Sequence, residues 1–169
     1  PAPIEVIAEL EIEGRTIPLS VPGIERVSDP IKGEVHKIVV IRPELVLAAD
    51  SAVTLFEDTQ SKRIEVTVTS NLGDQSGSLK ANVPNGWTVE IENPEFVLTD
   101  RSPSASIGVT VTPPKNGAEG VLSFHAINDK GGRFELGSQL IDYEHIGRQA
   151  ILSKVQTKLV RLDLKRGGN

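Results

Sequence analysis

The chain has 169 residues, enough for one good domain with extensions. Its net charge of −5 denies nucleic acid the basic face that phosphate binding needs, and the local excess of Lys158, Arg161, Lys165 and Arg166 reads as a solvated strand face or tail. The absence of cysteine excludes disulfides and thiolate zinc sites, and no run of about 18 apolar residues is present to span a membrane as a helix.

Aromatic residues make up only 4% of the chain, so Val, Ile and Leu must fill the core. Residues 4–12 alternate apolar with acidic side chains, the period of a strand with one face buried. Glu5, Glu9, Glu11 and Glu13 then form a solvated row of the kind that keeps edges from aggregating. Glu13-Gly14-Arg15 turns the chain into a partner strand at Thr16 to Val21, a hairpin signal. Asp29 to Glu34 reads as a loop punctuated by Pro30 and Gly33, and Lys37 to Arg42 as a third strand closed by Pro43. Three strands make a poor core alone, so residues 1–43 are expected to be a β-rich extension that leans on the domain after it or belongs to a preceding sandwich.

Residues 44–142 carry short strands at regular spacing with turn chemistry between them. Leu45-Val46-Leu47 opens the series, followed by Ser51 to Phe56 and by Lys62 to Thr69 with Ile64, Val66 and Val68 inward. Asn71 to Asp74 turns into Ser78 to Val83. A Pro84-Asn85-Gly86-Trp87 turn leads to a strand with Trp87, Val89 and Ile91 on one face. After Asn93-Pro94 come Glu95 to Leu98, then Ser104 to Thr112 with Ile107, Val109 and Val111 in phase. Pro113-Pro114 stops that strand, and Gly120 to Asn128 and Arg133 to Ile141 form a last pair. The expected fold is all-β, an immunoglobulin-like or fibronectin-like sandwich over 44–142 with β-rich N- and C-terminal extensions. Residues 143–169 read as an exit segment. Its strand, Val155 to Leu164, pairs with the N-terminal strands or enters another domain, and 146–157 is the one place suited to a short helix. No signal peptide is visible. The lack of any Met and the terminal Arg166-Gly167-Gly168-Asn169 suggest a piece of a longer protein.

His36, His125 and His145 form no His-x-His or His-x-x-x-His pair. Tyr143 and His145, two apart, share a face if their segment is extended. They either contact a ligand or interface, or anchor the exit segment by hydrogen bonds. Trp87 either stacks on a sugar ring or packs in a core short of aromatics. Asp100-Arg101-Ser102 and Asn128 to Gly131 supply too few oxygen ligands for Ca²⁺. No Gly-x-Ser-x-Gly, Gly-x-Gly-x-x-Gly or Walker loop is present, so no catalytic residue, metal or cofactor is assigned. Trp87, Tyr143 and His145 remain as ligand or interface candidates.

Two stretches resemble known families. From Ser51 to Ala126, the alternating strand, the Val83-Pro84-Asn85-Gly86-Trp87 turn, the strand ending Thr112-Pro113-Pro114 and the Gly120-x-Leu122-x-Phe124 pattern resemble the NEW3 type of β-sandwich module, often attached to carbohydrate-active enzymes. Ser28 to Glu34, Ile41-Arg42-Pro43, Asp142 to Ile146 and Lys158 to Arg161 resemble the region downstream of the catalytic domain in large PIG-L (LmbE-like) deacetylases. That family binds zinc through a His/Pro-x-Asp-Asp motif and a later His. No Asp-Asp pair exists here, so its activity maps onto no residue of this chain, and Gly147 stands where the family has Pro after Tyr-x-His-Ile. The resemblance implies a non-catalytic accessory or scaffold region of a multidomain N-acetylglucosamine deacetylase-like protein, contacting other domains of the same polypeptide or a second copy. The alternative it implies is a carbohydrate-binding module that carries the parent enzyme to a glycan. Either way it suggests a periplasmic or secreted setting.

Overall fold

The computed structural model describes residues 4–31, 33–39, 41–143 and 146–163, with the backbone alone at 22, 29, 35–38, 142, 143 and 146–149. Among these residues every regular element is a strand. The chain divides into two units, residues 1–42 with 139–151, and residues 43–138 with 152–169.

In the first unit, β1 (Glu5–Ile12) and β2 (Arg15–Pro22) form an antiparallel ribbon with Ile12 opposite Arg15. Its two-residue loop puts Glu13 and Gly14 at φ 50° and 74°, the left-handed pair of a type I′ turn, whose twist matches that of the strands. β3 (Ile24–Asp29) and β4 (Gly33–Ile38) form a second antiparallel ribbon. The described residues of 1–43 thus form four strands rather than three, and β3 and β4 run into the loop expected at Asp29 to Glu34. Ile24-Glu25-Arg26-Val27 carries too little alternation to announce a strand, and the ladder across from β4 is what extends it. The strand expected from Lys37 to Arg42 ends at Ile38.

The second unit is an immunoglobulin-like β-sandwich. Its strands are β5 (Leu45–Ala49), β6 (Val53–Phe56), β7 (Lys62–Ser70), β8 (Gln75–Asn82), β9 (Thr88–Ile91), β10 (Glu95–Leu98), β11 (Ser104–Thr112), β12 (Ala118–Asn128) and the two-residue β13 (Arg133–Phe134). β14 (Leu136–Tyr143) and β15 (Ile146–Lys154) pair with each other in a separate ribbon, of which residues 139–151 belong to the first unit, and β16 (Gln156–Arg161) closes the series. One sheet runs β10-β8-β12-β16-β6, with β13 also on β12, and the other runs β5-β7-β11-β9. All these pairings are antiparallel except β16 with β6.

Period-two patterning builds the core. Ile64, Val66 and Val68 on β7 face Ile107, Val109 and Val111 on β11 in one layer. Leu122, Phe124 and Ala126 on β12 with Leu159 on β16 line the other, each at most 4% exposed. Branched aliphatics in strands bury well against such a pleated surface.

The C-terminal segment departs most from expectation. The short helix allowed at 146–157 is absent, since β15 and the start of β16 occupy that stretch. Among the described residues β16 does not pair with the N-terminal strands. It inserts between β12 and β6, with Leu159 and Thr157 fully buried. Thr157 Oγ1 donates to the Ser51 carbonyl at 2.7 Å, tying the segment to the first loop of the sandwich.

Candidate functional site

The Pro84-Asn85-Gly86-Trp87 turn closes with Trp87 N–H donating to the Pro84 carbonyl at 3.2 Å, and Gly86 takes the left-handed φ of 82° that the turn requires. The indole then points inward. It is 6% exposed and meets the Phe56 ring edge-on, centroids 5.2 Å apart and planes at 64°. Gly120 on β12 lets this corner close, since a Cβ there would stand 2.7 Å from Pro84 Cβ and Cγ and 3.2 Å from Trp87 Nε1. The ring presents no open face for a sugar to stack on. Tyr143 ends β14 and only its backbone is described, and His145 lies outside the described residues, as does any meeting of the two.

Several polar groups of the sandwich hold turns and ladders. Asp129 accepts from Ser76 Oγ, and Asn128 Oδ1 accepts from Gly132 N–H at 2.7 Å. Asp74 Oδ1 takes the Asp100 N–H at 3.2 Å. Glu135 pairs with Lys154 at 2.9 Å and Arg133 at 3.6 Å, and the Lys154 bond chiefly holds its carboxyl below the usual range. His125 is 6% exposed, with no partner for Nδ1 among the described residues. Burial, then Arg133 and Lys80, pull its pKa down and favour the neutral imidazole. No group of three His, Asp or Glu that could hold a metal occurs among the described residues. A groove of about 320 Å³ between Ser76, Glu95, Val97 and Asp129 lies open on a sheet edge.

A row of exposed aliphatic side chains lies in the first unit. Cross-strand register places Val6 with Val21, Ala8 with Leu19 and Leu10 with Ile17 on one face of the β1–β2 ribbon, with Ile12 beyond them. Those side chains are 47–61% exposed, apart from Ala8, which is also exposed. The other face carries Glu5, Glu9 and Glu11 with Ile7. Alternation in residues 4–12 predicts a buried face, yet every residue of β1 is exposed. The pattern specifies an apolar face, and pattern alone does not supply a neighbour to cover it. Six half-exposed aliphatic side chains leave on the order of 400 Å² of apolar surface in water, within the range of the largest patch on a typical soluble monomer.

No protein-family model matches the chain, and no curated protein matches it. Among solved structures, WR4, a C. elegans MSP family member, is similar over 69% of this chain and 98% of its own, at 10% identity and a TM-score of 0.39.

Proposed function

We propose that the chain is a non-catalytic accessory module of a multidomain PIG-L-type deacetylase, with a sandwich that serves as rigid body and an N-terminal ribbon that makes protein contacts. The observation that carries the contact role is the apolar face of Val6, Leu10, Ile12, Ile17, Leu19 and Val21, left exposed on a two-stranded ribbon that is marginal alone. The motif resemblance over Ser28 to Glu34 and Lys158 to Arg161 supports the parent family. The fold itself assigns no function.

Sequencing the coding DNA on both sides of the segment tests the parentage. An upstream open frame with a His/Pro-x-Asp-Asp motif supports the reading. A start codon directly before Pro1 and a stop after Asn169 would overturn it. The contact role is tested separately by Leu10→Ser with Leu19→Ser in the parent protein. The double variant should keep the sandwich folded, with unchanged Trp87 fluorescence, and increase protease cleavage within residues 1–42. Unchanged cleavage would show that nothing covers the face.

A further inference from the structure

The β1–β2 ribbon has two edges, and they are not equivalent. Gly23 N–H donates to the Ile4 carbonyl at 2.8 Å, which marks the Ile4–Gly23 pair as hydrogen-bonded. Antiparallel pairs alternate. Val6–Val21, Ala8–Leu19 and Leu10–Ile17 are therefore hydrogen-bonded pairs, while Glu5–Pro22, Ile7–Ser20, Glu9–Pro18 and Glu11–Thr16 are not. In the second set the backbone N–H and C=O groups turn outward. On β2 that outward row includes Pro18 and Pro22, which have no N–H to give, so the β2 edge is closed to a further strand. On β1 the outward row is Glu5, Ile7, Glu9 and Glu11, with all donors and acceptors present and no strand beside it among the described residues. One edge is blocked by sequence and the other is left open.

We infer that the β1 edge is a β-augmentation site that receives an extended segment alternating apolar with basic residues. This inference rests on the contact role proposed above and specifies its partner. A strand added there would extend the apolar face past Val6, Ala8 and Leu10 and place its alternate side chains beside Glu5, Glu9 and Glu11. Lysine or arginine at those positions satisfies the acidic row. A second copy fits poorly. Two β1 strands that keep their apolar faces together set Glu5, Glu9 and Glu11 against the same row, and like charges directly opposite are destabilising. An anionic lipid surface meets the same repulsion.

The test uses the 169-residue chain and two blocked six-residue peptides, one alternating lysine with valine and the other glutamate with valine. Fluorescence anisotropy and amide hydrogen exchange are the readouts. The lysine peptide should bind at least tenfold more tightly and weaken as salt is raised. Amides of Ile7, Glu9 and Glu11 should gain new hydrogen-bond partners and the larger protection on binding, while those of Val6, Ala8 and Leu10 are bonded to β2 already. Ile7→Pro should abolish binding with the β1–β2 ladder intact, because that N–H points away from β2. Glu9→Lys with Glu11→Lys should reverse the peptide preference and keeps the test alive if the proline variant fails to fold. Equal binding of both peptides, or binding that survives Ile7→Pro without new protection on β1, would overturn the inference. Concentration-dependent dimerisation lost in Ile7→Pro would assign the edge to a second copy and overturn it as well. None of these outcomes bears on the upstream reading frame, so the parentage stands or falls separately.

Discussion

Trp87 follows the phase of Val89 and Ile91 into the core, whereas His125 departs from what its neighbours predict. Trp87 is the only tryptophan, buried against Phe56 with an Nε1 that has no partner among the described residues. Trp87→Ala should destabilise the sandwich by about 3–5 kcal/mol, measured by urea unfolding. Trp87→Phe keeps much of the apolar ring and removes an N–H whose unpaired burial costs about 1–3 kcal/mol, so it should lose far less. His125 falls on the outer phase of β12, out of step with Phe124 and Ala126, yet it is 6% exposed. Its folded pKa lies below the ordinary 6.5 because burial, Arg133 and Lys80 disfavour the charge, with Glu135 opposing them. The unfolded chain therefore takes up the proton first. Stability should hold above pH 6.5 and fall as pH drops through and below that value, and His125→Gln should flatten that limb of a urea-midpoint profile. Glu135, also lowered, adds loss in the same direction below its ordinary 4.5.

At the scale of elements, the ladder between β8 and β12 depends on a residue with no side chain. A Cβ on Gly77 would run into the Ile127 carbonyl and stand 2.8 Å from Asn128 Cα. Gly77→Ala must push the paired strands apart at backbone level, and a loss of about 1–3 kcal/mol in chemical denaturation is expected. β16 gives a sharper case. Truncation after Lys154 should leave the remaining chain unable to fold cooperatively, as seen in circular dichroism melts, because Val155 and Leu159 leave the core and β6 loses its neighbour. Strands with clean alternation, such as Lys62 to Ser70 and Ser104 to Thr112, are legible in sequence because half-burial writes itself as period two. The place of β16 is not legible, since the alternation of Thr157 and Leu159 states that a face is buried without naming the neighbouring strands. β3 escapes a sequence reading because Ile24 to Asp29 is short and mixed, and its ladder with β4 comes from pairing rather than propensity.

Across the whole molecule, burial is divided unevenly. Every hydrophobic residue in the described core lies between Leu45 and Leu159, and none belongs to residues 4–42. Opening energy follows buried apolar contact. Native-state hydrogen exchange should therefore show amides of β7, β11 and β12 protected up to global unfolding, and those of β1 to β4 exchanging through cheaper local opening. Uniform protection would show that the ribbons are held by something beyond their own ladders. The sandwich class is readable because turn chemistry and alternation agree over a hundred or so residues. The contact face is readable only as a pattern, and its two unequal edges need the register, which no composition or periodicity encodes.

The insertion of β16 also sets a clock. Thr157 and Ser51 are 106 residues apart in the chain, and β6, the strand that follows Ser51, has β16 as its only strand neighbour in the sheet among the described residues. At a synthesis rate of about 5–20 residues per second, the ribosome needs roughly 5–20 s between making one and making the other. Throughout that interval β6 waits with Phe56 uncovered on one side of an unfinished sheet. The sandwich thus stays open at this sheet until β16 is made.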